Sequence, residues 1–218
     1  MEPSTTKRRN RIYLWLFLTI GWTIQGITYF WVGESPLSLI SGLFGICSVV
    51  LCTQGDIKTF FFGFGQIGTY LFLCWQQRLY GEIAINTFYF FSQFYGIYLW
   101  RKRAILAQRQ TLPTRSLTLR TAIILLIGTI VATLLVGYGL SLTDDTQPYL
   151  DAFTTVSALV AQMLMILAYR EHWYVWLMID ALYVVLWVRV GDWCMVMQYS
   201  FWCLNAIYGL VHWTRSQR

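Results

Sequence analysis

Eight stretches of about 20 mostly apolar residues, each long enough to cross roughly 30 Å of hydrocarbon, succeed one another along the chain. They cover residues 12–31, 37–54, 57–76, 82–100, 117–140, 150–168, 173–189 and 193–213, and short polar segments separate them. This pattern predicts an all-α membrane protein with eight transmembrane helices.

The distribution of charge agrees with that count. The N-terminus, the segment with Lys58, the connection "RKRAILAQRQTLPTRSLTLR", the segment with Arg170 and the C-terminal Arg215 and Arg218 hold 14 basic residues. The alternate segments hold two, Arg78 and Arg189, and most of the acids: Glu34, Glu82, Asp144, Asp145, Asp151 and Asp192. Basic residues stay on the cytoplasmic side, so both termini are predicted to be cytoplasmic. Composition points the same way: 57% hydrophobic, 18% aromatic and 12% charged residues, against roughly 25% charged in a soluble domain. The net charge of +6 is thus a matter of topology and does not signal a nucleic-acid partner. The basic "MEPSTTKRRNR" precedes an apolar run that lacks a small-residue cleavage site, which predicts a retained first span and not a signal peptide.

Sliding the chain on itself by 113 positions lays "NTFYFFSQFYGIYLW" on "YSFWCLNAIYGLVHW", pairing Phe88 with Phe201, Tyr95 with Tyr208, Gly96 with Gly209 and Trp100 with Trp213. Tyr70 falls on Tyr183, and spans 2, 3 and 4 fall on spans 6, 7 and 8. Copies four spans apart enter the membrane in the same sense, which predicts parallel repeats in a 3+1+3 arrangement behind one extra helix. The expected organisation is a basic cytoplasmic N-terminus with the extra helix (1–36), a first three-helix repeat (37–101), a basic cytoplasmic loop with a linker helix (102–149), a second repeat (150–213) and a cytoplasmic tail (214–218).

Signs of catalysis are missing from the sequence. The five cysteines form no CxxC pair, the two histidines, His172 and His212, lie far apart, and no HExxH, GxSxG or GxxxxGK[ST] motif occurs. No enzyme, cofactor or metal site is expected.

Polar and aromatic residues at helical spacing mark surfaces that do not face lipid. Span 7 carries Trp173, Trp176, Asp180, Tyr183 and Trp187 in one stripe; span 8 carries Gln198, Trp202 and Asn205; span 4 carries Asn86, Tyr89 and Gln93. Gln66, Tyr70 and Gln162 are weaker candidates. Tryptophans near helix ends also form the aromatic belt of ordinary membrane proteins, and buried amides also join helices, so both readings stand for these residues. Asp180 is different: a carboxylate near mid-membrane is unfavourable by a few kcal/mol, and no span has a basic residue near its centre to pair with it. Indole faces, amides and an acid suit a flat, polar-substituted and cationic ring. No arginine clamp for phosphate lies within the spans. Proton coupling through Asp180 is a second reading.

The motifs "WYVW" followed by "IDALYVV", the helix "LYGEIAINTFYFFSQFYGIYLW" and the closing "NAIYGLVHW" resemble the PnuC-type nicotinamide riboside transporters of bacteria, from about residue 37 to 213. That resemblance implies a fold similar to SWEET sugar transporters. It implies facilitated diffusion of nicotinamide riboside, an NAD precursor, across the inner membrane, with a cytoplasmic riboside kinase trapping the product. Trp173 and Trp176 would then contact the nicotinamide ring, and Asn86, Gln93, Asp180, Gln198 and Asn205 would serve the carboxamide and ribose. The alternatives are a transporter of thiamine or riboflavin on the same fold, or a SWEET-like sugar uniporter. Partners are the substrate and the lipid bilayer; the oligomeric state is left open, with a homotrimer as one arrangement.

Overall fold

The computed structural model describes residues 4–33, 35–76, 78, 80–106, 114–144 and 146–215. Of the charges that set the predicted topology, Glu34, Arg109, Asp145 and Arg218 lie outside the described residues. Among these residues the chain forms eight α-helices: α1 (Ser4–Thr28, continued by a π-helical turn over Tyr29–Gly33), α2 (Pro36–Thr53), α3 (Lys58–Gln76), α4 (Tyr80–Leu106), α5 (Leu119–Leu140), α6 (Pro148–Ile166), α7 (His172–Val190) and α8 (Trp193–Arg215).

Local chemistry sets the boundaries. Ser35 caps α2 by accepting from the Ser38 amide, with Pro36 in the first turn where its missing N–H costs nothing. Thr118 caps α5 in the same way. Between α7 and α8, Gly191 turns left-handed at φ 83°, and the Asp192 carboxylate accepts from the Met195 amide to start the next helix.

By length and composition, four described segments are apolar enough to cross a membrane: Pro36–Thr53, Leu119–Ser141, Pro148–Ile166 and Trp193–Arg215. The others are less apolar for a reason that bears on function. In α3, α4 and α7, amides, tyrosines, tryptophans and Asp180 replace aliphatic residues on an inward face. Outward faces remain apolar, as at Phe91, Leu126, Leu135 and Val185. This is a multi-pass, all-α membrane protein.

The packing contains a recurrent spacing. The turn after α2 has Gly55 left-handed at φ 65°, and 113 positions later the turn after α6 has Ala168 at φ 59°. Its hydrogen bonds recur at that offset: Gly55 N–H to the Cys52 carbonyl and Asp56 N–H to that of Leu51 become Ala168 N–H to Met165 and Tyr169 N–H to Leu164. Trp100, near the end of α4, donates its indole N–H to the Met165 and Ile166 carbonyls at 3.3 and 3.2 Å. Trp213, near the end of α8, donates to the Cys52 and Thr53 carbonyls at 3.2 Å each. The ring of Trp100 meets Phe60 edge-on, and that of Trp213 meets Trp173 edge-on.

Two glycines permit those contacts. A Cβ on Gly96 would lie 2.3 Å from the Phe60 ring, and one on Gly209 would lie 2.5 Å from the Trp173 ring. Cys52, Phe60, Trp100, Ala168, Trp173, Ala206 and Trp213 thereby form one buried cluster at an end of the bundle.

Helices α1 and α5 stand outside this core. α1 packs on α2 and α8, whereas α5 packs on α6. Ahead of α5, the chain docks by backbone pairing: the Arg115 amide donates to the Ala168 carbonyl at 2.7 Å, and the Arg170 amide donates to the Arg115 carbonyl at 2.9 Å. The Arg115 guanidinium lies over the Tyr169 ring, and Thr114 donates to the Trp213 carbonyl.

Trp213→Phe keeps an aromatic ring and deletes the donor to two helix-end carbonyls. It should destabilise the protein by about 1–3 kcal/mol, seen as an earlier thermal transition in detergent, and Trp100→Phe should behave alike. Gly209→Ala forces a methyl group into the Trp173 ring and should destabilise by about 1–3 kcal/mol through overpacking.

Candidate functional site

Six helices, α2, α3, α4, α6, α7 and α8, enclose a cavity of about 440 Å³. Neither α1 nor α5 contributes to its wall. The cavity abuts the tryptophan cluster, since Cys52, Trp173 and Ala206 belong to both.

Nine of the ten residues expected at a site reach this wall: Asn86, Tyr89 and Gln93 from α4; Trp173, Trp176 and Asp180 from α7; Gln198, Trp202 and Asn205 from α8. The tenth, Tyr183, does not line it. Its ring stacks on Tyr199, with centroids 4.8 Å apart and an interplanar angle of 21°, and Tyr199 takes the place at the cavity surface. The stripe on α7 therefore leaves the cavity after Asp180, because a helical face stays with one cavity only as far as the cavity extends. The weaker candidates Gln66, Tyr70 and Gln162 also line the wall.

Hydrogen bonding separates two kinds of amide. Gln162 donates to the Ser92 hydroxyl at 2.9 Å, joining α6 to α4, and Asn86 donates to the Glu82 carbonyl and carboxylate on its own helix. Those two amides already have partners. Asn205 is 1% exposed, and neither its amide nitrogen nor its oxygen has a partner. The indole N–H of Trp173 is likewise unpartnered. Gln93 lies against Gly63, where a Cβ would come within 2.9 Å of the amide nitrogen, so the missing side chain makes room for it.

Sequence reasoning passed over Ser48, Thr59, His172 and Tyr199, all in the wall. His172 is fully buried; one ring nitrogen, Nδ1, is 2.7 Å from the Tyr169 carbonyl and the other, Nε2, has no partner. It is the first residue of α7. For Tyr199 a signal existed, since it lies 113 positions after Asn86 and next to Gln198.

The electrostatics are one-sided. Asp180 is 8% exposed, and among the described residues no hydrogen bond or salt bridge reaches its carboxylate and neither Lys nor Arg lines the wall. Such a cavity can stack a planar ring, hydrogen-bond amides and hydroxyls, and attract positive charge. It holds no group suited to clamp a phosphate.

A family model described as "Nicotinamide mononucleotide transporter" matches residues 35–215. The chain belongs to that transporter family. Within it, the chain is similar to the nicotinamide riboside transporter PnuC of Haemophilus influenzae, 33% identical over 204 residues, covering 93% of this chain and 88% of the relative. The nicotinamide riboside transporter PnuC of Neisseria mucosa is 29% identical over 212 residues, covering 93% of this chain and 80% of the relative. Among solved structures, one described as the crystal structure of the vitamin B3 transporter PnuC superposes with a TM-score of 0.75 at 28% identity, covering 95% of this chain and 91% of that one. These relatives are named as transporters, and the family's matched region spans all six helices of the cavity wall.

Asn205→Leu replaces an unpartnered buried amide with an apolar side chain of similar size. Without ligand the variant should be more stable by about 1 kcal/mol, measured as a later thermal transition.

Proposed function

We propose that the protein carries nicotinamide riboside by facilitated diffusion across the bacterial cytoplasmic membrane, with a cytoplasmic riboside kinase consuming the imported molecule. The observation that carries this reading is the cavity wall: indole, phenol and amide groups with one acid and no Lys or Arg. A nicotinamide ring can stack on Trp173 and Trp176, while Asn205 offers the donor and acceptor that a primary carboxamide complements. A mononucleotide would bring its phosphate into a wall holding Asp180 and no cation, so the riboside is favoured despite the wording of the family's description. The relatives from Haemophilus influenzae and Neisseria mucosa are named for the riboside.

The proposed architecture has eight transmembrane helices with both termini cytoplasmic. Residues 37–101 and 150–213 act as parallel three-helix repeats, with 102–149 as linker and 1–36 as an added N-terminal helix. Support comes from the indole bonds, aromatic pairs and turns that recur at 113 positions. Rocking of such units about a central cavity would expose it to each side in turn. Thiamine is the second reading, because its cationic ring also suits Asp180.

Trp176→Ala should abolish riboside binding by calorimetry while the protein remains folded; unchanged affinity would remove Trp176 from the site. In thermal-shift measurements, the riboside should raise the transition temperature more than its mononucleotide, thiamine or riboflavin. Proteoliposomes should equilibrate the riboside without concentrating it when a pH gradient is imposed, and accumulation driven by that gradient would rule out simple facilitation.

A further inference from the structure

Among the described residues, Asp180 is the one acid that lines the cavity, no hydrogen bond or ion pair reaches it and no Lys or Arg shares the wall, so as a carboxylate it leaves a charge to be balanced. Asp180 faces the cavity one helical turn beyond Trp176, and both belong to α7. Tyr199, across the cavity on α8, is within electrostatic range of Asp180 and of a second acid, Glu82. Among the described residues that line the cavity, no Lys or Arg stands against these two acids.

We propose that the substrate supplies the balancing charge: Asp180 is the counter-ion for a pyridinium-type ring, and its charge makes the cavity choose the cationic ring over a neutral ring of the same outline. This rests on the riboside reading and adds a basis for selection to it. The carboxylate attracts the ring's positive charge while the indole of Trp176 offers it a π face, and the two attractions act together because both groups line one cavity. Nicotinamide riboside is a pyridinium cation. Its reduced dihydropyridine form has the same ribose and carboxamide but no ring charge, so the pair isolates charge from shape.

The test is calorimetric affinity for both forms, measured on the full chain in detergent for wild type, Asp180→Asn and Asp180→Glu. Wild type should prefer the cation by at least about tenfold, as expected for a charge contact desolvated on binding. Asp180→Asn should lose most of that preference, chiefly through weaker binding of the cation, whereas Asp180→Glu should keep part of it. A wild type that does not discriminate, or an Asp180→Asn variant that discriminates equally well, would overturn the proposal. If Asp180→Asn does not fold, the wild-type and Asp180→Glu affinities decide the matter. Wild-type protein that binds neither form would count against the riboside reading instead. Cationic thiamine would then be the probe, and the counter-ion role would stand or fall on whether Asp180→Asn weakens its binding.

Discussion

Two indole N–H groups tie together four of the six helices that line the cavity. In a membrane protein, carbonyls at helix ends find little water to pair with, so they must be satisfied from within. Trp100 of α4 satisfies those at the end of α6, and Trp213 of α8 satisfies those at the end of α2. Each ring then needs a flat partner, Phe60 or Trp173, and each partner needs a helix without a side chain beside it, at Gly96 or Gly209. One requirement of the backbone thus propagates into the identity of six side-chain positions and places Trp173 both in the cluster and in the cavity wall.

The apolar periods were legible because hydrocarbon thickness leaves little freedom. The expected span 173–189 became His172–Val190 and 37–54 became Pro36–Thr53. Helix α4 runs past its expected end at 100 to Leu106, because arginine and lysine favour helix and only hydropathy, not helix propensity, stops at Arg101. Helical spacing also brought forward most of the wall, since a stripe on a helix needs no knowledge of neighbours. Where the stripe stops does need it, and hence Tyr183 was expected where Tyr199 lies. His172 escaped notice for a related reason: a histidine at a helix start has no periodic signature, and its burial depends on Trp173 and Trp213, whose rings lie 4.3 and 4.6 Å from its own.

The cavity wall works against the stability of its surroundings. Unpartnered groups on Asn205, Trp173 and His172 raise the free energy of the empty state, and an incoming ligand that pairs with them lowers it. The tryptophan cluster that adjoins the cavity is buried, and Trp173 belongs to both. That division matches what a carrier requires: a frame that keeps its shape, and a chamber that is incomplete without its cargo.

The segment ahead of α5 is fastened differently from everything else in the bundle. Arg115 pairs with Ala168 and Arg170 through main-chain amides and carbonyls, groups that almost every residue possesses. This backbone part of the attachment tolerates drift in sequence, whereas the Thr114 hydroxyl bond and the Arg115 contact with Tyr169 depend on their side chains. Proline is the exception at 115 or 170, because it would remove a donor. Where its side chains change, and with them its charge and surface, the backbone pairing still seats the connector on the turn between α6 and α7.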